Sequence, residues 1–219
     1  MSDNDKAVRL SALNFRKLPL RYGTDSCYIT LTDEDYAAET VALRNTPSLG
    51  TFINFVQLSA QTHQDWLASQ LEREDALNFV LVARQRFSGT LSLYDIQHGK
   101  QCELGRLMMP NDGRRIYALA AGLLGISFAF DILGIQTLYC TAIDGNKSVF
   151  NSQLRTGWKI DPRYDRVVSI RGTETHLTGL SMDRQEWPAV FTKVAPIARR
   201  LFSPDWSRDV EKNFQQGAL

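Results

Sequence analysis

"PNDGRRIYALAAGLLGISFAF", residues Pro110 to Phe130, joins a polar turn to an apolar run rich in small residues. Gly113 and the pair Arg114 and Arg115 stand at the junction. Three readings compete: an anion cradle at the head of a buried helix, a membrane anchor with a basic flank, and an ordinary loop before an ordinary helix. Charge placement argues against the anchor. Between Ile116 and Ile143 only Asp131 is charged, but it falls mid-run and Gly134 follows as a helix stop. A spanning helix needs about 20 apolar residues without such a break. Beyond Gly134, "TLYCTAI" is β-branched and aromatic, which suits a strand. The stretch therefore reads as a buried helix from about Arg115 to Leu133, followed by a buried strand.

The other two readings stay open on local features. A helix N-terminus presents unpaired N–H groups and about half a positive charge, and a preceding turn can aim more N–H groups at an anion. Arg114 and Arg115 would add side-chain charge suited to phosphate oxygens. Ala118, Ala120, Ala121, Gly122, Gly125 and Ala129 let the helix approach a sheet closely. A solvated Arg pair and simple packing account for the same letters.

Downstream, "CTAIDGNKSVFNSQLRTGWK" (Cys140 to Lys159) runs strand, turn, helix. Asn146 is placed to cap the helix start and Gly157 its end. A site at the carboxyl end of that strand is compatible with both roles. Upstream, "NFVLVAR", "GTLSLYDI" and "CELGRLM" read as an antiparallel meander linked around Ser88–Gly89 and Gly99–Lys100. Further back, "CYITL" is a short strand. Thr32 is a candidate N-cap for a helix that Thr46–Pro47 ends. "QTHQDWLASQLERED" is a second amphipathic helix. Toward the C-terminus, "DRVVSIRG" and "THLTGLSM" form a strand pair, and a helix covers about Arg184 to Leu201. This order predicts a mixed α/β (α+β) fold: a central mixed, largely antiparallel sheet flanked by helices.

The chain has 219 residues, 43% of them hydrophobic and 22% charged, enough for one domain with extensions. A basic N-terminal extension (1–25), a main domain (26–187) and a C-terminal helix with a tail (188–219) are expected. The net charge of +1 gives no global field to hold nucleic acid. Three cysteines, widely spaced and without C-x-x-C, read as free thiols in a reducing cytoplasm, with no metal site. The polar start "MSDNDKAVRL" lacks an apolar signal-peptide core.

Taken together, the segments from Cys27 to Trp187 resemble the GNAT superfamily of acetyl-coenzyme A dependent N-acetyltransferases. The likeness is to the branch of ribosomal-protein alanine and nucleotide-amino-sugar N-acetyltransferases. It is carried by "ITLTDEDYAAETVALRNTP", "CELGRLM", the run from Asp112 to Lys159, and "LTGLSMDRQEW". The resemblance implies a GNAT-type acyl-CoA N-acyltransferase fold in which the strands "CELGRLM" and "TLYCTAI" splay apart. Acetyl-CoA would lie between them. Its pantetheine arm would bond the backbone at Leu107, Met108 and Met109. Its pyrophosphate would sit on backbone N–H groups from Gly113 through Arg114, Arg115, Ile116 and Tyr117 to Ala118. Asn146 and Phe150 complete the implied cofactor set.

Two residues depart from the family pattern. Ile116 stands where Gly is expected, and a β-branched residue does not take positive φ cheaply. Gln153 stands where many members carry a Tyr that protonates the departing thiolate; Gln can hydrogen-bond a thiolate but has no useful proton to give. A thiol with a pKa of about 8.5 is still a fair leaving group. For a general base, Glu103 is the first candidate and His176 the second. Arg44 and Asn45 are implied acceptor contacts. The expected acceptor is a primary amine, either a small molecule (a nucleotide-linked amino sugar first) or a protein N-terminus; a homodimer is compatible. The alternative is an acyl-CoA-binding or interaction module of the same fold with impaired catalysis.

Overall fold

The computed structural model describes residues 20–47, 49, 59–110, 115–170 and 172–202. Gly113, Arg114, the first nineteen residues of the N-terminal extension and the polar tail lie outside them. The elements in chain order are β1 (Arg21–Gly23), β2 (Cys27–Leu31), α1 (Ala37–Arg44), α2 (Ala60–Leu71), β3 (Ala76–Ala83), β4 (Arg86–Gln97) and β5 (Gln101–Met108). Then follow α3 (Arg115–Ser127), β6 (Thr137–Ile143), α4 (Lys147–Arg155), β7 (Lys159–Ile160), β8 (Arg166–Ile170), β9 (Thr173–Asp183) and α5 (Trp187–Phe202). The sheet order is β1-β2-β3-β4-β5-β6-β9-β7, with β8 paired to β9. Every pairing is antiparallel except β5 with β6. The mixed, largely antiparallel sheet flanked by helices is thus as expected.

Several local details differ from the sequence reading. Residues 21–23, within the stretch read as an extension, form β1 on β2. The N-cap ahead of α1 is Asp33, whose carboxylate accepts from the Asp35 N–H at 3.1 Å, and not Thr32. The β3–β4 turn falls at Arg84–Gln85, both at positive φ (50° and 61°), while Ser88 and Gly89 lie inside β4. β7 was not anticipated.

α3 packs on one face of the sheet over Leu91, Leu93, Cys102, Leu104 and Leu138, all buried. Gly125 makes this approach possible: a Cβ there would stand 2.7 Å from Leu91 Cδ1 and 3.0 Å from Leu104 Cδ1. The helix passes into a π-helical turn over Phe128–Ile132, closed by the Leu133 N–H on the Phe128 carbonyl at 3.1 Å. Gly134, at φ +67°, then ends it. The apolar run is therefore a core helix leading to β6; no helix among the described residues is long and apolar enough to cross a membrane. The three cysteines are free and buried; burial pushes the Cys27 thiol up to about 12.

On the β7–β8 link, Asp161 caps the short helical turn Pro162–Tyr164. Its carboxylate accepts from Arg163 Nη2 at 2.7 Å and Nε at 2.9 Å, and from Ser181 Oγ at 2.8 Å. These bonds, Arg163 first, hold it down at about 2. A group depressed on folding adds stability above its unfolded value near 3.9, and loses that contribution as pH falls through the folded value. At about 1.36 kcal/mol per pKa unit this amounts to roughly 2–3 kcal/mol. Asp161→Asn is therefore expected to lower unfolding free energy by about that much at pH 7 and by little near pH 2. Urea denaturation of both proteins across that range checks it.

Candidate active site

The site begins with two extra residues. Between β4 and β5 the register steps from Thr90↔Met108 to Ser92↔Gly105, so β5 carries one residue more, and Arg106 sits there at φ 51°. A second step, from Tyr94↔Glu103 to Gln97↔Gln101, puts the extra residue in β4, where Asp95 has φ 51°. Such bulges bend a strand and raise its twist. β5 pairs with β6 only at Gln101↔Thr137, Cys102↔Leu138 and Glu103↔Tyr139. Beyond that, β6 follows β9 to Ile143 while β5 stays with β4. A wedge opens between them, and past Glu103 the β6-facing edge of β5 has no strand partner among the described residues.

Glu103 stands at the apex of the wedge, 1% exposed. Its Oε1 accepts from Arg166 Nη2 at 2.6 Å and from Thr141 Oγ1 at 3.2 Å. Its Oε2 is buried without a hydrogen-bond partner among the described residues. It is not the solvent-exposed charge that a sheet-edge residue would be. Tyr94 lies opposite it on β4, and its ring covers Gly105: a Cβ there would be 2.5 Å from Tyr94 Oη. Burial, then the Glu103 charge, pushes the Tyr94 hydroxyl well above the usual phenol range. On the other flank, Tyr139 stacks on Tyr164 with centroids 4.1 Å apart.

The remaining expected residues are spread along the wedge. Leu107 and Met109 are half-buried and Met108 is buried, on the unpaired stretch of β5 and its end. α3 starts at Arg115; Ile116 packs half-buried against the core, Tyr117 is buried in it and Ala118 is half-buried. Asn146 caps α4, its Oδ1 accepting from the Val149 N–H at 3.3 Å, and Phe150 leans on the core one turn later. Gln153 is half-buried, with its carbonyl taken by the Trp158 and Thr156 N–H groups. Gly157, at φ +89°, packs on Val190, which fixes α4 against α5.

His176 lies elsewhere. The Asp144 N–H donates to its carbonyl, which puts it five residues along β6 from Tyr139, or ~16 Å at the usual strand rise. Its Nδ1 is 3.0 Å from Asp144 Oδ2. The structure does not bring it to Glu103. Arg44 and Asn45 end α1 on the sheet face opposite α3. On that face sequence reasoning missed His63, which is 1% exposed, and Arg106.

A family model described as an acetyltransferase (GNAT) domain matches residues 27–159. The chain belongs to the GNAT acetyltransferase family. No curated protein matches it in sequence. Solved structures do match in fold. A GCN5-related N-acetyltransferase from Brucella melitensis has TM-score 0.66 and 18% identity, with 78% of this chain and 82% of that one covered. Apo FdhC, a nucleotide-linked sugar GNAT, has TM-score 0.65 and 19% identity, covering 81% of this chain and 98% of that one. Spermidine N-acetyltransferase from Vibrio cholerae, in complex with CoA and spermine, has TM-score 0.66 and 12% identity, covering 74% and 98%.

GNAT enzymes transfer an acetyl group from acetyl-CoA to an amine. The wedge suits that donor physically. Backbone groups along β5 past Glu103 have no strand partner among the described residues, and sheet edges of this kind are what extended ligands recruit. Among the described residues no cluster of metal-ligating side chains occurs.

Proposed function

We propose that this GNAT enzyme acetylates a primary amine at the wedge, with a nucleotide-linked amino sugar ahead of a protein N-terminus as acceptor. The observation that supports the reading is the end of β5–β6 pairing at Glu103↔Tyr139, beside a buried carboxylate. Acetyl-CoA supplies the activated thioester. Leu107, Met108 and Met109 offer backbone groups to its arm, and the start of α3 (115–118), together with Gly113 and Arg114, takes its diphosphate. Asn146 and Phe150 flank the thioester end. A backbone N–H near Leu107 stabilises developing negative charge on the carbonyl oxygen. Glu103 takes the amine proton, through water, on its carboxylate. Gln153 hydrogen-bonds the departing sulfur. Arg44 and Asn45 contact the acceptor; the likeness to FdhC favours a sugar.

Acetyl-CoA at a hundred times its Kd is expected to raise Tm by ~5–10 °C by mass action. Thiol release against a panel of amino sugars and N-terminal peptides then reads turnover. Binding without release across that panel would replace the enzyme by the acyl-CoA-binding module, for which Ile116 and Gln153 are the motive. No binding at millimolar ligand would sink both.

A further inference from the structure

On the sheet face away from α3, the helices α1 and α2 cover a small pocket, partly open to solvent. Thr40, Arg44, His63, Trp66, Asn78 and Arg106 form half of its wall. Two guanidinium groups and an imidazole thus share one small space, and no carboxylate lines it among the described residues. The polar atoms there are poorly matched. Both ring nitrogens of His63 are buried without a hydrogen-bond partner among the described residues, as are Thr40 Oγ1 and Arg44 Nε. Stacking on Trp66, with centroids 5.5 Å apart, accounts for the His63 ring but not for its nitrogens. Asn78 Oδ1, the nearby acceptor, is already taken by Arg106 Nη1 at 3.0 Å and Ser92 Oγ at 2.7 Å.

The electrostatics agree with the geometry. Burial and then the Arg106 charge pull the Arg44 guanidinium below its ordinary range, and burial and then Arg44 do the same to His63. Native proteins seldom leave several buried donors and like charges in one place without a counterpart. A single oxyanion would accept from the Arg44 Nε–H, the Thr40 hydroxyl and whichever His63 ring nitrogen carries the proton, and Arg is well shaped to pair with one.

We propose that this pocket is an oxyanion subsite that takes a carboxylate or phosphate group carried by the acceptor, with Arg44 and Arg106 as charge partners and His63 and Thr40 as hydrogen-bonding ones. The proposal rests on the acetyltransferase reading for the word acceptor. The guanidinium of Arg106 lies 4.7 Å over the Tyr94 ring, and Tyr94 is the residue opposite Glu103. The subsite and the wedge apex are therefore neighbours, and one small molecule with an amine at one end and an oxyanion at the other spans them. The same charges repel a polycation, so a polyamine is a poor acceptor here.

Side-chain NMR of the 15N-histidine-labelled full chain, at fixed pH and ionic strength and with CoA present to fill the diphosphate site, tests the subsite directly. Inorganic phosphate and succinate are titrated separately, with sodium chloride as the reference salt. The His63 ring signals, assigned with His63→Gln, are expected to move saturably while those of His98 and His176 stay put. Arg44→Ala, at a half-exposed position, is expected to weaken the effect at least about tenfold, the worth of one charged hydrogen bond. A response to phosphate alone, or to succinate alone, identifies a phosphate ester or a carboxylate as the group recognised. No saturable movement with either anion, or an equal response in Arg44→Ala, overturns the proposal. Failure of CoA itself to bind is seen separately in the same sample and counts against the acetyltransferase reading, not against the subsite.

Discussion

Glu103→Gln is expected to lower kcat/KM for acetyl transfer by about 10²–10⁴, the range lost when a positioned general base is removed. The substitution keeps the shape of the side chain and takes away its charge and its ability to accept a proton. Arg166 loses an ionic partner in the variant, but its side chain is 41% exposed and can be rehydrated. Stability and CoA affinity should therefore change little, while turnover falls. Glu103→Ala differs, because it also empties a buried position between Tyr94, Thr141 and Arg166 and should lower Tm as well. Arg166→Ala separates the remaining possibility, that Glu103 merely ties β8 to the floor of the wedge. It breaks the same tie without touching the carboxylate, so activity should survive in part. If Glu103→Gln keeps activity within a few-fold of the wild type, Glu103 is an anchor and the base lies elsewhere.

The parts of the fold that were legible depend on local pattern. The run from Ile116 to Ile143 announced a helix and then a strand because Asp131 and Gly134 break it where a helix must end. The meander showed because β3, β4 and β5 are apolar or alternating over most of their length and separated by short links. What stayed hidden is set by contacts distant in sequence or by backbone states that the letters do not advertise. Arg84 and Gln85 take positive φ without being Gly or Asn, so the turn was placed at Ser88–Gly89 instead. Arg106 and Asp95 form bulges for which no residue type gives a signal, yet those bulges accompany the opening of the wedge. β1 is three residues long and exists because β2 offers it an edge. His63 is the clearest case in the candidate site. Its helix reads "AQTHQDWLASQL", with only Trp66 and Leu67 to mark an inner face before Leu71. Its burial follows from where α2 lies relative to α1 and the strands beneath, which no single segment encodes.

Phe128→Ala is expected to destabilise the protein by about 3–5 kcal/mol, the cost of deleting a buried aromatic side chain together with the cavity it leaves. Phe128 is fully buried and meets two rings edge-on, Tyr22 at 5.2 Å and Phe79 at 5.3 Å between centroids. It therefore ties α3 to both β1 and β3. Collapse into the cavity is hindered on each side. The π-helical turn fixes the backbone of Phe128–Ile132, and the Tyr22 hydroxyl is held by Ser127 Oγ at 2.9 Å. Tyr22 cannot slide inward without breaking that bond, so the loss should fall at the high end of the range. Val149→Ala makes the contrast: Val149 is 40% exposed on α4, and its truncation should stay within about 0.5 kcal/mol. Guanidinium unfolding of the two variants measures the difference. A loss below about 1 kcal/mol for Phe128→Ala would mean that α3 does not rest on the sheet as described. The seat that aims its N-terminus at the wedge would then be lost, because the direction of that helix is set by the same packing.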